Sequence, residues 1–126
     1  MTDSERVVMS VPARGEFART VRLVAAELAT RVGMCIDDVD DVRLAVEEAF
    51  VYATDRASGQ SVTVAFALEP GCIELLVGPL PQSCADAEAS EAGERYARFI
   101  LESICDEFEL LVRDGSCYVR LVKRTA

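Results

Sequence analysis

The chain has 126 residues, 51% hydrophobic and 28% charged, which suits one soluble domain with its own core over residues 1–126. A formal charge of −9 argues against direct nucleic-acid binding, which needs a basic surface. The absence of histidine excludes Ser-His-Asp and Cys-His catalysis within the chain, a His metal site and a phospho-accepting His.

In chain order, Arg6 to Pro12 reads as a first strand, closed by the proline. From Glu16 to Val32, Phe17, Val21, Val24, Ala25, Leu28 and Val32 recur at helical spacing, with Gly33 placed as a C-cap. The next helix opens near Asp37 or Asp38, either of which can cap it, and runs to about Ala57. Its stripe is Val39, Val42, Val46, Ala49, Phe50 and Ala53, so one face goes to a core. Glu48 and Tyr52, four apart, sit one above the other on a neighbouring face.

Ser61 to Leu68 alternates as a strand, Glu69-Pro70-Gly71 is a tight turn, and Cys72 to Val77 completes a hairpin. Gly78-Pro79-Leu80-Pro81 reads as a breaker. Gln82 to Glu94 is small, acidic and poor in apolar residues, with part of it expected to be mobile. Tyr96, Phe99, Ile100 and Ile104 give a third helix to about Cys105. Asp106 to Val112 and Cys117 to Lys123 are strands joined by an Asp114-Gly115 hairpin turn. The order β-α-α-β-β-α-β-β predicts an α+β fold, a two-layer sandwich with three helices on one face of a mixed, mostly antiparallel sheet.

Five cysteines, Cys35, Cys72, Cys84, Cys105 and Cys117, form no C-x-x-C pair. They read as reduced thiols filling small apolar sites, with no metal site among them. No leader-like start and no apolar run of about 18 residues is present, so the expectation is a cytoplasmic protein with no membrane span.

The segment Ala45-Val46-Glu47-Glu48-Ala49-Phe50-Val51-Tyr52-Ala53 is similar to A-V-x-E-A-x-x-N-A, a helix motif of the anti-sigma regulatory factor (serine-protein kinase) family. That family lies within the gyrase/Hsp90/histidine-kinase ATPase superfamily. The resemblance runs over nearly the whole chain and implies the Bergerat-type topology for the sandwich. It puts Glu48 at the general-base position and Tyr52 where the family has its magnesium-binding Asn. A phenol is a poor magnesium ligand. Arg56 stands near the family's His, and Asp55, seven residues after Glu48, is the one substitute ligand at hand.

The family's D-x-G-x-G turn, whose Asp reads the adenine amino group, falls on Val77 to Gln82, where only Gly78 remains and no Asp lies between Glu69 and Ala85. The phosphate-cradling glycine box falls on Gly93 to Arg98, located by counting back from Ile104-Cys105-Asp106-Glu107, which is similar to the family's L-M-D-E. Gly93 alone is kept there, with Glu94 bringing negative charge and Arg95 and Arg98 offsetting it. Cys117, or Ser116 one place earlier, takes the position of the Thr near the adenine-binding Asp.

Tyr52, Gly78, Gly93 and Cys117 are thus the cofactor-binding positions of a nucleotide site whose boxes are all altered, and Glu48 is the catalytic position. Neither ATP nor magnesium is expected as a cofactor, although both serve intact family members. The resemblance implies a homodimer whose partners are a sigma factor and an anti-anti-sigma antagonist, and a regulator working by partner switching. Two alternatives stay open. One is an active ATP-dependent kinase of the antagonist, with Glu48 as base. The other is a non-catalytic subunit that pairs with an intact homologue.

Overall fold

A computed structural model describes residues 5–57, 59–81, 84 and 92–125. β1 is Glu5–Pro12, α1 Ala18–Arg31 after a 3-10 turn at Gly15–Phe17, and α2 Ile36–Arg56. β2 is Ser61–Glu69, β3 Cys72–Pro81, α3 Ala92–Ile104, β4 Glu107–Arg113 and β5 Ser116–Arg124. The acidic stretch after Pro81, expected to be partly mobile, falls mainly outside the described residues.

The strands form one sheet in the order β1-β2-β3-β5-β4, and every pairing is antiparallel. This corrects the mixed sheet predicted from the element order. The crossover through α3 does send β4 in the same direction as β3, but β5 folds back between them and pairs with both. A parallel contact therefore never forms.

Helices α1, α2 and α3 lie on one face. The inward positions of the strands (Val62, Val64, Phe66, Leu75, Val77, Val119 and Leu121 among them) are buried against Val21, Ala25, Val46, Ala49 and Phe50. Alternation of period two on the strands and period 3.6 on the helices makes those two stripes meet. α1 ends as the sequence predicts: Gly33 takes φ +91°, and the amides of Gly33 and Met34 donate to the carbonyls of Thr30 and Ala29. The Asp114-Gly115 turn has both residues at positive φ, 53° and 77°, as a two-residue hairpin requires.

Two local expectations need correction. β3 does not stop at Gly78. It continues to Pro81 through a register shift between Val77 and Leu80, which leaves Pro79 exposed and returns Leu80 to the core. A bulge is where a strand tolerates a residue without an N–H.

The N-cap of α2 is Cys35, with no side-chain capping bond. Asp38 is instead buried, 3.9 Å from the ammonium of Lys123 on β5. That ammonium also donates to Asp41 Oδ2 at 3.0 Å and to the Ile104 carbonyl at 2.9 Å, joining α2, the end of α3 and β5. A cation at the C-terminal end of α3 also suits the helix dipole.

Candidate functional site

The box positions come from four elements, and α2 contributes the central pair. Tyr52 is on its buried side, only 7% exposed, because the stripe that buries Ala49 and Ala53 is wide enough to include it. Its neighbours are Ala97, Arg98 and Leu101 of α3, Phe108 and Leu110 of β4, and Val119 of β5. Between them is a cavity of about 10 Å³, room for roughly one water.

The other face of the tyrosine is covered from its own helix. The Arg56 guanidinium lies 3.9 Å from the ring centroid, and its Nη1 donates to the Tyr52 carbonyl at 3.1 Å. Arg56 also lies about two turns beyond Glu48 on the same helix. No ion pair joins the two, and Glu48 is half-buried one turn before the tyrosine. Its neighbour Glu47 is the residue engaged, with Arg22 of α1 at 3.1 Å. Asp55 is exposed to solvent.

Gly78 lies on β3 with its missing side chain turned to the outer face of the sheet. A Cβ there would stand 2.6 Å from the Tyr118 ring and 2.9 Å from the Cys117 carbonyl. The close approach that requires glycine is thus made by the neighbouring strand. Cys117 points the opposite way, fully buried under the helix layer. Gly93 is in the first turn of α3, and the side chains around it, including Arg95, lie outside the described residues. Arg98 is half-buried with its guanidinium 5.6 Å from the Phe108 ring centroid.

The structure therefore brings Tyr52 and Cys117 to the inner side of the sheet and leaves Gly78 on the other. The sequence reading did not single out Phe108 and Leu110, which wall the space beside Tyr52. Their alternation on β4 was the available signal. Among the described residues no three His, Cys, Asp or Glu side chains come close enough together to hold a metal ion.

None of the five cysteines is in a disulfide. Burial pushes the Cys105 thiol up to about 11 and raises that of Cys72, so both stay protonated and unreactive near neutral pH. No helix among the described residues is long and apolar enough to cross a membrane.

Comparison with known proteins gives a consistent picture. Residues 11–116 match the family described as Histidine kinase-like ATPase domain. The chain is 36% identical over 129 residues to the Serine-protein kinase RsbW of Halalkalibacterium halodurans, covering 88% of this chain and 78% of that protein. It is 32% identical over 76 residues to the protein of the same name in Bacillus cereus, covering 58% of this chain and 48% of the relative. That second match thus spans about half of the relative. Among solved structures, that of the RsbU and RsbW domains of Rv1364c from Mycobacterium tuberculosis superposes with a TM-score of 0.70. It is 19% identical and covers 95% of this chain and 32% of that one, so it supports the fold alone.

Proposed function

Because the chain belongs to the histidine kinase-like ATPase domain family, among the relatives of the RsbW serine-protein kinases, we propose that it is an anti-sigma-factor-like regulator whose nucleotide site has closed. It acts by protein binding and partner exchange, with a sigma factor and an anti-anti-sigma antagonist as its partners and a homodimer as its working form. In this reading ATP and magnesium are not cofactors.

The observation that carries the proposal is the burial of Tyr52 between α2, α3, β4 and β5. Small-molecule sites have volumes of about 300–1,000 Å³, and about 10 Å³ is left beside the ring. Opening a site there means expelling an aromatic side chain from the core, which costs several kcal/mol. Magnesium also loses its ligand, since a buried phenol cannot take the place of a compact oxygen donor in an octahedral array. The residues present do not fit an adenine nucleotide with its metal.

Retention of Glu48, half-buried and with no ion-pair partner among the described residues, is the one observation favouring the kinase alternative. A general base has work to do only when an aligned phosphoryl donor is bound beside it.

The test is capture of partners from the source cell on the immobilised protein, with Mg-ATP and after EDTA washing, and identification by mass spectrometry. Equal retention of a sigma factor or a small antagonist domain under both conditions supports the proposal. Retention that requires ATP overturns it, and recovery of an intact kinase homologue alone favours the subunit alternative.

A further inference from the structure

The sheet runs β1-β2-β3-β5-β4, so β4 is an edge strand, paired among the described residues with β5 alone. The Asp114-Gly115 turn fixes which of its backbone groups stay free. In a two-residue hairpin the residues flanking the turn, here Arg113 and Ser116, exchange hydrogen bonds. Along an antiparallel pair such residues alternate with ones that do not. Arg113, Leu111, Glu109 and Glu107 therefore bond to β5. Phe108, Leu110 and Val112 turn their N–H and C=O groups to the open edge.

Sheet edges are normally blunted by proline, lysine or a bulge. β1, at the opposite edge, ends on Pro12. β4 has neither proline nor lysine, and its register to β5 runs unbroken from Glu107 to Arg113. The side chains of the same three residues face the helix layer and are incompletely covered. Phe108 and Leu110 are half-buried, and Val112 is 44% exposed. An extended segment laid along this edge would satisfy the free backbone groups with about six hydrogen bonds. It would also set every second side chain against the apolar row.

Charge selects the occupant. Glu109 on β4, Glu102 on α3, Asp106 before the strand and Asp114 after it are all exposed. The nearby cations are Arg113 and Arg98, and Arg98 is already 4.0 Å from Glu102 with its guanidinium over the Phe108 ring. The chain as a whole carries −9. A second copy offering its own β4 therefore approaches against repulsion, whereas a cationic segment approaches with attraction.

We propose that the free edge of β4 is a docking site for an extended, basic segment of another polypeptide. The segment adds a strand antiparallel to β4, the more stable pairing. It places apolar residues opposite Phe108, Leu110 and Val112, and a lysine or arginine opposite Glu109. This deepens the partner-binding reading by giving it a surface, and it rests on that reading only for its biological purpose. The added strand packs against Phe108 and Leu110, the residues that wall the space beside Tyr52.

The experiment is amide hydrogen exchange and chemical-shift mapping by NMR on the whole chain, with the peptide acetyl-Thr-Val-Thr-Val-Lys-Val-Lys-amide as probe. The free protein is expected to exchange quickly at Phe108, Leu110 and Val112 and slowly at Glu109 and Leu111. The probe is expected to shift and slow the first three, and to lose both effects when its valines are N-methylated. Replacing its two lysines with glutamate is expected to weaken binding about tenfold, as two reversed cross-strand charge pairs should. Val112→Pro removes an edge donor and leaves the β5 ladder intact, so the folded variant is expected to bind the probe more weakly than the wild type. If that variant does not fold, the N-methylated probe decides.

No slowing at millimolar probe overturns the docking site, as does slowing that survives N-methylation. Equal binding of the glutamate peptide overturns the basic partner. Slow exchange of the three amides in the free protein means that the edge is already covered, by a second copy if the protection grows with concentration, and also overturns the proposal. Each of these results leaves nucleotide-independent capture of partners to be judged separately.

Discussion

The guanidinium of Arg56 stacks 3.9 Å from the ring centroid of Tyr52, one helical turn earlier, and holds that residue's carbonyl at 3.1 Å. The pair closes the C-terminal half of α2. The arginine covers one face of the ring, and the core formed by α3, β4 and β5 takes the other. Tyr52→Ala should therefore behave as a core truncation and cost about 3–5 kcal/mol. Arg56→Ala should cost roughly 0.5–2 kcal/mol. Urea unfolding of both variants checks the order and the size. A Tyr52→Ala protein as stable as the wild type would mean that the ring is not part of the core.

Lys123 is the counterpart at the other end of the helix layer. Burial alone would pull its ammonium down, but the hydrogen bond and charge of Asp41, with Asp38 and Asp106 behind, more than offset this and raise it above the usual range. A raised lysine contributes stability that is complete below the unfolded value, about 10.4, and is lost as pH rises through the folded one. Lys123→Met should lose about 1.5–3 kcal/mol at neutral pH. It should also show a flatter decline in stability on the alkaline side than the wild type. Urea midpoints followed from neutral to alkaline pH read both effects.

Glu107 should govern part of the acid limb. Hydrogen bonds from Arg124 and Arg120 hold its carboxyl below the ordinary value. The stability it supplies is present above the unfolded value, about 4.3, and is lost as pH falls through the lowered one. Glu107→Gln should weaken the protein at neutral pH and reduce the further loss on acidification. Parallel urea titrations at neutral and acidic pH compare the two slopes.

Gly78→Ala should destabilise by about 1–3 kcal/mol. The added methyl meets the Cys117 carbonyl at 2.9 Å as well as the Tyr118 ring at 2.6 Å. The ring can shift, but the carbonyl is fixed in the β3–β5 pairing. Thermal unfolding is the readout. An unchanged midpoint would show that the strands are less tightly apposed than described.

Much of this fold was legible in the chain because its signals are local. The stripe from Val42 to Ala53, the Gly33 cap and the Asp114-Gly115 turn each depend on residues a few places apart, and each appears as expected. The signals that failed depend on distant partners. Asp38 reads as a cap in isolation, but Lys123, 85 positions later, draws it into the core. Gly78 to Pro81 reads as a breaker, but β5 supplies the edge along which β3 continues past its bulge. At the site, Tyr52 and Glu48 could be placed one above the other from their spacing alone. That Phe108, Leu110 and Val119 close around the tyrosine could not, because it depends on where α3 returns the chain to the sheet.

The central claim is that Tyr52 closes the nucleotide site, and calorimetric titration of the purified chain with ATP and ADP in the presence of magnesium tests it most directly. The account predicts no binding heat from either nucleotide, with the same result after EDTA. Tight, magnesium-dependent binding of either one would contradict it, and Glu48→Gln would then be the first variant to take into a kinase assay.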